Sequence, residues 1–237
     1  MAVASRVLKI PELESEAGLL HGFSTLMLGN VGLSHAPDPE PVLASRRDFA
    51  RVLGVDAEPL TVLGAVHGAA VARVDEPHDV IQGVDALITD QRGVTMFATF
   101  ADCYPILLWD PERRCAALVH AGWRGTVACV ARAAVQAMAK EYGSDPSHIR
   151  AGIGPGICGR CYEVGDEVAA RFDSRFVTEG IGDRFLLDLA AANRTQLEDA
   201  GVPDVHVLDL CTKETSFLPS HRRSPDGTRF GAIVAVR

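Results

Sequence analysis

The stretch "ADCYPILLWDPERRCAALVHAGWRGT" (residues 101–126) contains two apolar runs, "PILLWD" and "CAALVH", separated by "PERR". A proline in the second position of the intervening turn is typical of a tight chain reversal, so the stretch predicts a β-hairpin. If the turn is centred on the "ER" pair, facing residue numbers sum to about 225. Cys103 then lies opposite Gly122, and His120 is one diagonal step away, within about 7–8 Å.

Cys103 and His120 are suited to either of two chemistries. They could be a nucleophile and its base, or two ligands of a zinc ion. His67 ends another apolar strand, "LTVLGAVHG" (60–68), and Gly68 leaves space around its ring. Two histidines and a cysteine without a fourth protein ligand predict a catalytic zinc with an open coordination position. The competing interpretation is a plain buried cysteine and a hydrogen-bonded histidine at a strand end.

Two arginine-bearing segments are candidates for contact with an anion. Trp123 and Arg124 lie among small residues and suit a pocket wall, although a structural tryptophan–arginine stack explains them equally well. The segment "SHRRSPDGTR" (220–229) places three arginines around a turn. Guanidinium groups match phosphate oxygens, so the segment predicts a phosphate clamp, with a solvated charged loop as the alternative.

A glycine-rich stretch, "GIGPGICGRCYEVG" (152–165), offers a backbone that can approach a ligand closely. A plain turn explains the glycines as well. Cys158 and Cys161 form a C-x-x-C motif, but no second pair follows at zinc-ribbon spacing and no thioredoxin pattern surrounds it. We therefore interpret this motif as incidental to function.

The rest of the chain mixes strands and helices without regular alternation. This order predicts one α/β domain of the α+β type over residues 1–237, built from mixed β-sheets packed with helices rather than a doubly wound nucleotide fold. Residues 1–20 are expected to form a peripheral N-terminal segment. Helices are predicted for "PVLASRRDFARVLG" (41–54), for residues 125–143 and for "LAAANRTQLEDA" (189–200), which Asp188 caps.

The composition of the chain argues against some classes of binding partner, namely nucleic acids and membranes. The chain has 237 residues, 47% of them hydrophobic, and a formal net charge of −8. An acidic excess argues against nucleic acid as the main partner, because phosphate backbones bind basic surfaces. We also expect no membrane partner, since Asp102 and Pro105 interrupt the most apolar region. Six cysteines in a chain of this size are expected to be reduced thiols, which favours a cytoplasmic location.

Several motifs occur together in one order: "HGFST", "VHG", "DALITD", "ADCYPILLWD", "VHAGWRGT", "GPGICGRCYEVG", "LDLAAANRTQL" and "SHRRSPDGTR". In the order of these motifs, the chain resembles the YfiH-type laccase-domain family, and the resemblance extends from about His21 to the C-terminus. Members of that family carry the labels multicopper polyphenol oxidase, purine nucleoside phosphorylase and peptidoglycan editing factor. The resemblance implies one α/β domain and a zinc ion held by His67, Cys103 and His120.

The resemblance also implies an activity. It predicts phosphorolysis of adenosine, inosine, guanosine and methylthioadenosine, with some adenosine deamination. The small-molecule partners are then a purine nucleoside and phosphate, bound by a monomer or a homodimer. Cys103, His120 and Arg223 are the predicted catalytic residues, and Arg222 and Arg124 are predicted to hold the phosphate.

The N-terminal motif departs from the family pattern. Leu26 stands where relatives carry an arginine, and the loop after "FST" is short. Asn30 and Gly32 match the family's asparagine and glycine beyond that loop, and Asn30 is predicted to contact the substrate. We therefore expect the substrate contacts made by this loop, and with them the range of substrates, to differ from those of the family.

Three other functions compete with the phosphorylase. A copper laccase is disfavoured, because the eight histidines form none of the H-x-H pairs that ordinary laccases need, although copper is kept as the alternative metal. A cysteine hydrolase could use Cys103 and His120 on a peptidoglycan precursor. A non-catalytic zinc module could bind a protein partner, but structural zinc normally has four protein ligands rather than three.

Overall fold

Strands predominate in the structure, a computed structural model that describes residues 5–34 and 36–237. In chain order the strands are β1 (Val7–Leu8), β2 (Leu19–Ser24), β3 (Leu60–Gly64), β4 (Val71–Arg73), β5 (Val80–Gln82), β6 (Ala86–Thr89), β7 (Thr95–Phe100), β8 (Tyr104–Asp110), β9 (Cys115–Ala121), β10 (Arg150–Ile153), β11 (Glu163–Val164), β12 (Val177–Glu179), β13 (Phe185–Leu187), β14 (Asp204–Val207) and β15 (Phe230–Val236). The helices are α1 (Pro11–Glu14), α2 (Glu40–Leu53), α3 (Trp123–Val127), α4 (Val130–Tyr142), α5 (Asp166–Ala169) and α6 (Leu189–Asp199). No helix in these ranges is both long and apolar enough to cross a membrane.

The strands form two large mixed sheets and a small one. The first sheet has the order β1-β2-β15-β7-β3-β5, the second has the order β14-β10-β8-β9-β6-β4, and the small sheet is β11-β13-β12. Each large sheet combines antiparallel neighbours with parallel ones, such as β3 beside β7 and β6 beside β4. The predicted fold class, an α+β arrangement of mixed sheets, is confirmed.

The β8–β9 hairpin lies at the centre of the molecule. Pro105 pairs with His120, so the predicted register, in which facing numbers sum to 225, is confirmed. On one face, Leu107 and Trp109 pack into the core between the two large sheets. On the other face, Ile106 and neighbouring apolar side chains pack against α4 and α6. Because both faces are covered, the strands are continuously apolar rather than alternating.

The two large sheets therefore lie face to face, with a helix layer on each outer side. Helix α2 covers the outer face of the first sheet, where Phe49 packs against Phe97 and Ile233. Helices α4 and α6 cover the outer face of the second sheet. The loops at one end of this stack carry the functional residues described below.

The N-terminal segment is not peripheral, contrary to the expectation for residues 1–20. Residues 1–4 lie outside the described ranges, but β1 pairs with β2 at the edge of the first sheet. Ile10 and Leu13 are fully buried. A Cβ on Gly152 would lie 2.3 Å from Ile10 Cδ1, so the segment is packed directly against β10. Burial of these apolar side chains makes the segment part of the core.

The helix predicted for residues 125–143 is broken in two. Cys129 has a φ of 60°, a left-handed conformation that a continuous helix excludes, and it separates α3 from α4. Helix α6 supports the break, because Gln196 Nε2 donates to the Thr126 carbonyl at 2.7 Å. Hydrophobic periodicity continues through this position, which is why the sequence pattern does not reveal the interruption. The helices predicted to end at Gly54 and to be capped by Asp188 are both present.

Candidate functional site

His67, Cys103 and His120 converge at the open end of the central hairpin. One ligand atom from each lies within 4.8 Å of the others. The rings of the two histidines meet edge to face, with centroids 4.9 Å apart. His120 is buried, Cys103 is half-buried and His67 is exposed, so the trio is open to solvent on one side.

Three segments of different origin bring the trio together. His120 lies near the end of β9, Cys103 immediately precedes β8, and His67 lies in the loop after β3. Two residues here have left-handed backbone conformations, His67 with a φ of 62° and Asp102 with a φ of 85°. Such conformations are costly for non-glycine residues and accumulate at functional sites. The tertiary structure thus maintains local strain at two positions of this site.

The glycines on either side of Trp123 and Arg124, Gly122 and Gly125, are required because the site has no room for a side chain at either position. A Cβ on Gly122 would lie 2.8 Å from Cys103 Sγ and 3.2 Å from His67 Cδ2. A Cβ on Gly125 would lie 3.0 Å from the Gly68 carbonyl oxygen. Real Cβ atoms essentially never approach other atoms as closely as the first of these distances. The "HAGWRG" corner therefore needs glycine so that the cysteine and both histidines can meet.

A buried carboxylate, Asp85, organises the trio. Its Oδ1 lies 3.0 Å from His120 Nδ1 and accepts the His67 backbone N–H at 2.9 Å. Its Oδ2 accepts the Gly68 N–H at 2.6 Å and the Val66 N–H at 3.2 Å. One carboxylate thus orients the imidazole of one histidine and holds the loop that carries the other. Metal-binding histidines commonly have such a carboxylate on their second ring nitrogen.

The ionisation of the trio follows from these contacts. Burial raises the pKa of the Cys103 thiol, but the charge and hydrogen bonds of His120 and His67 outweigh it and lower the pKa to about 6. Burial lowers the pKa of His120, but Cys103 and Asp85 outweigh it and raise the pKa to about 9. Cys103 is therefore a thiolate near neutral pH, the form that binds metals and acts as a nucleophile.

The trio lies on the wall of a cavity of about 820 Å³. Trp123 and Arg124 also line this cavity, and the Arg124 guanidinium stacks on the Trp123 ring with its carbon 4.2 Å from the ring centroid. Both interpretations of this pair, pocket wall and stacked pair, therefore apply together. The Arg222 guanidinium stacks in the same way on the Tyr162 ring, at 5.0 Å, and also lines the cavity.

The cavity is positively charged although the protein is acidic. Among the described residues, its lining includes four arginines (Arg46, Arg124, Arg222 and Arg229) and one carboxylate, that of Asp102. The Asp102 carboxylate already accepts the Thr212 hydroxyl at 2.6 Å and the Arg222 backbone N–H at 2.7 Å. The local field therefore favours an anionic ligand.

Two predicted ligand-binding residues have other contacts instead. Arg223 is not part of the cavity lining; its guanidinium donates to the backbone carbonyls of Thr212 (2.7 Å), Lys213 (3.0 Å), Thr215 (3.2 Å) and Leu218. These contacts shape a loop, and the catalytic and phosphate-binding role of Arg223 stays a prediction.

Asn30 also acts on the backbone. Its Oδ1 accepts the N–H groups of Gly32 and Arg229, both at 2.9 Å, and it is not part of the cavity lining. These contacts link two loops, and the substrate contact of Asn30 stays a prediction. Leu33 and Ser34, which follow the shortened loop, do line the cavity and form its rim.

Asp85 is the main residue that the sequence prediction missed. It lies at the start of "DALITD", directly before β6, and is fully buried. An aspartate at the entrance of an apolar strand was the available signal, since a buried carboxylate requires partners. Nothing in the sequence spacing identifies His120 and the His67 loop as those partners.

Comparisons with known proteins agree with this architecture. The family described as "Multi-copper polyphenol oxidoreductase laccase" matches residues 21–237. A purine nucleoside phosphorylase of Streptomyces coelicolor is 42% identical over 211 residues, covering 86% of each chain. One of Deinococcus radiodurans is 40% identical over 202 residues, covering 84% of this chain and 79% of the relative. An adenosine deaminase, RL5, from an unknown prokaryotic organism is 36% identical over 201 residues, covering 76% of each.

A solved structure shows the same fold. YlmD from Geobacillus stearothermophilus superposes with a TM-score of 0.91 at 31% identity, covering 100% of this chain and 98% of that one. The family match and these relatives together span nearly the whole sequence. This chain therefore belongs to the laccase-like, YfiH-type family, whose relatives include proteins named purine nucleoside phosphorylase and one named adenosine deaminase.

Proposed function

We propose that this protein is a zinc-dependent purine nucleoside phosphorylase of the cytoplasm, which acts on adenosine, inosine, guanosine and methylthioadenosine. The observation that carries the proposal is an open trio of one thiolate and two imidazoles on the wall of an arginine-lined cavity. The relatives named purine nucleoside phosphorylase support the same reaction.

The donor set suits zinc. Zinc is bound by cysteine sulfur and histidine nitrogen, and catalytic sites use three protein ligands. Asp85 lies on Nδ1 of His120, so Nε2 is the nitrogen left for a metal. His67, Cys103 and His120 would hold the ion, and a bound zinc ion would supply Lewis-acid chemistry at the open side of the trio.

Phosphorolysis requires phosphate near ribose C1′ while the purine leaves. Arg124 and Arg222 are the residues we assign to the phosphate, since both line the cavity and neither forms an ion pair with a carboxylate among the described residues. Their stacking on Trp123 and Tyr162 fixes the direction of each guanidinium. Arg222 Nη1 donates to the Glu163 carbonyl at 2.6 Å, which leaves its other N–H groups for phosphate. The volume of about 820 Å³ lies within the usual range of small-molecule sites, roughly 300–1,000 Å³.

Adenosine deamination is a second activity that we propose for the same site. The relative named adenosine deaminase motivates it, and an open three-ligand metal site is also the arrangement used to activate water. In this reaction the purine would lie with its C6 amino group toward the trio. The arginines would then be less important, because no phosphate takes part.

Product analysis tests the proposed function. Purified protein is incubated with adenosine and phosphate, and the products are separated. Adenine with ribose 1-phosphate supports phosphorolysis, and inosine supports deamination. If neither reaction occurs, the result contradicts the proposal. Metal analysis of protein purified without added copper addresses the laccase alternative, since stoichiometric copper together with phenol oxidation would overturn the assignment to zinc.

Alkylation distinguishes the cysteine hydrolase. A thiolate bound to zinc is protected, so Cys103 should resist alkylation in metal-replete protein and react after chelation. Rapid stoichiometric alkylation of Cys103 in the metal-replete protein would instead favour a nucleophilic cysteine.

Substitution of Arg222 tests the phosphate assignment. Arg222→Ala should raise the KM for phosphate more than the KM for nucleoside, by about 10-fold or more, because charge-assisted contacts to phosphate are worth roughly 1.5–3 kcal/mol. Arg92→Ala, at an exposed turn outside the cavity, is the matched control and should change neither constant. Equal changes in both KM values for Arg222→Ala would contradict the assignment.

A further inference from the structure

A second cluster of metal-binding side chains lies outside the cavity. Cys158 and Cys161 come from the glycine-rich loop between β10 and β11, and Cys211 and Glu214 come from the loop after β14. One ligand atom from each of the four lies within 4.8 Å of the others. The C-x-x-C motif, which the sequence alone left without a function, thus has two partners about fifty residues away.

The spacing of these atoms matches tetrahedral coordination. Zinc–sulfur bonds of about 2.3 Å and zinc–oxygen bonds of about 2.0 Å imply sulfur–oxygen edges of about 3.5 Å in a tetrahedral site. Glu214 Oε1 lies 3.5 Å from Cys161 Sγ, and Glu214 Oε2 lies 3.9 Å from Cys158 Sγ. The sulfur atoms of Cys158, Cys161 and Cys211 lie within 4.8 Å of one another. Four donors on two loops thus lie close enough together to bind one ion.

The two loops have the same local construction. In the first, the Tyr162 N–H donates to the Cys158 carbonyl at 3.0 Å; in the second, the Thr215 N–H donates to the Cys211 carbonyl, also four residues back, at 2.9 Å. Gly156 and Cys211 form a parallel bridge that joins the loops. The spacing is C-x-x-C in one loop and C-x-x-E in the other, which is a zinc-ribbon arrangement with glutamate in place of the fourth cysteine.

The surroundings favour a bound cation over a disulfide. The Cys158 backbone N–H donates to Cys211 Sγ at 3.3 Å, a contact that supports a thiolate. Arg160, 3.0 Å from Glu214 Oε2, is the cation paired with this carboxylate among the described residues. A Cys158–Cys161 disulfide would leave the third cysteine and the glutamate without a role. A divalent ion uses all four donors.

We propose that Cys158, Cys161, Cys211 and Glu214 form a second, structural zinc site. The four protein ligands close the coordination sphere, so this ion would have no open position for substrate. Its role is to join the loop between β10 and β11 to the loop after β14.

Asp102 connects the second site to the cavity. The Asp102 carbonyl accepts the N–H of Ile157, which precedes Cys158, at 2.9 Å. Its carboxylate accepts the hydroxyl of Thr212, which follows Cys211, at 2.6 Å. Asp102 itself precedes Cys103 and has a left-handed backbone. The second zinc would therefore hold both loops against the residue that positions the thiolate of the first site.

Metal counting tests the proposal. Protein purified with zinc in the medium is dialysed and its zinc measured, with two ions per chain expected. Cys161→Ser should retain one ion, and Cys103→Ala should retain the other. Cobalt substitution identifies each site, because the charge-transfer absorption of a three-thiolate site is several-fold stronger than that of a one-thiolate site. Cys161→Ser should lose the strong band, and Cys103→Ala should retain it.

An exposed ligand gives a test that is independent of folding defects. Glu214→Gln should weaken binding of zinc at the second site by about 10-fold or more, because it removes a charged donor at the surface. Glu179→Gln is the matched control, an exposed glutamate outside both clusters. One ion per chain in the wild type with no loss in Cys161→Ser, or a wild-type mass lowered by the two hydrogens of a Cys158–Cys161 disulfide, would overturn the proposal. Neither outcome depends on which nucleosides the cavity accepts.

Discussion

The cavity trio and the four-residue cluster contain similar ligand types in opposite settings. Cys103 and His120 lie at the ends of core strands, and His67 lies in the loop after β3. The fully buried Asp85 carboxylate contacts the ring of His120 and the backbone N–H of His67. The second cluster lies on two loops, and its glutamate is exposed. The trio has three ligands and faces the arginine-lined cavity, whereas the cluster has four, and two of them, Cys158 and Cys211, line a separate cavity of about 540 Å³. A core-supported, incomplete ligand set suits chemistry, while a complete set on loops suits fixation of the backbone.

The largest expected effect is that of Cys103→Ala, which should remove zinc from the trio and leave zinc at the second cluster. Cys103→Ala removes the thiolate of the trio, so nucleoside turnover should fall below detection and one zinc ion should be lost. The ion of the second cluster should remain, because none of its four ligands is changed. Zinc content and adenosine phosphorolysis are measured on the same sample. Full turnover by a variant without zinc at the trio would refute the role given to the metal.

Loss of support behind the trio should have the next largest effect. Asp85→Asn places an amide where a carboxylate accepts three backbone N–H groups and orients His120, so zinc affinity at the trio should fall about 10–100-fold. Competition with a chelator measures this affinity. Asp183→Asn, at an exposed turn, is the control and should bind zinc as the wild type does. An unchanged affinity in Asp85→Asn would show that the carboxylate only shapes the loop.

A single methyl group should have a smaller but specific effect. Gly122→Ala places a Cβ 2.8 Å from Cys103 Sγ, so the thiolate must shift and affinity for zinc at the trio should fall, by about 10-fold for a displacement that costs roughly 1–2 kcal/mol. Gly93→Ala is the matched control, because nothing lies within 4 Å of the Cβ it would introduce. Equal chelator competition by the two variants would contradict this account of the glycine.

No effect on metal binding is expected at His21, a buried histidine outside both clusters. Burial, with a further contribution from the charge of Lys9, lowers the pKa of His21 to about 4, and its Nε2 accepts the Ile10 N–H at 3.0 Å. The unfolded chain takes up this proton first, at a pKa of about 6.5, so the free energy of unfolding should decrease as the pH falls from about 6.5 to 4, by up to about 3 kcal/mol.

Denaturant unfolding at several pH values measures this decrease. His21→Gln should remove most of it and leave the zinc content unchanged. A stability profile with the same slope in both proteins would show that another group is responsible for the pH dependence.

The hairpin and the proximity of Cys103 to His120 were predictable for a local reason. A proline turn between two apolar runs determines the register, and the register places Cys103 beside His120. The helix capped by Asp188 was also predictable from local sequence, because the cap lies next to the helix that it begins. By contrast, the break at Cys129 depends on support from α6, and hydrophobic periodicity carries no information about it.

The functional assignment of the arginines needed the structure. Arg222 and Arg223 are adjacent in sequence and have the same side chain, yet one lines the cavity and the other donates to four backbone carbonyls. Side-chain direction in an irregular loop depends on contacts with distant segments. No local pattern distinguishes the two residues.

The sequence by itself determined the apolar strands of the central hairpin, the reversal at residues 111–114, the helix caps and the motifs that identify the family. These are properties of short segments, set by side-chain period and by turn chemistry. Only the tertiary structure brought Asp85 to the two histidines and Cys211 with Glu214 to the C-x-x-C loop. Those contacts join residues far apart in the chain, and their formation depends on how the two sheets and their loops pack together.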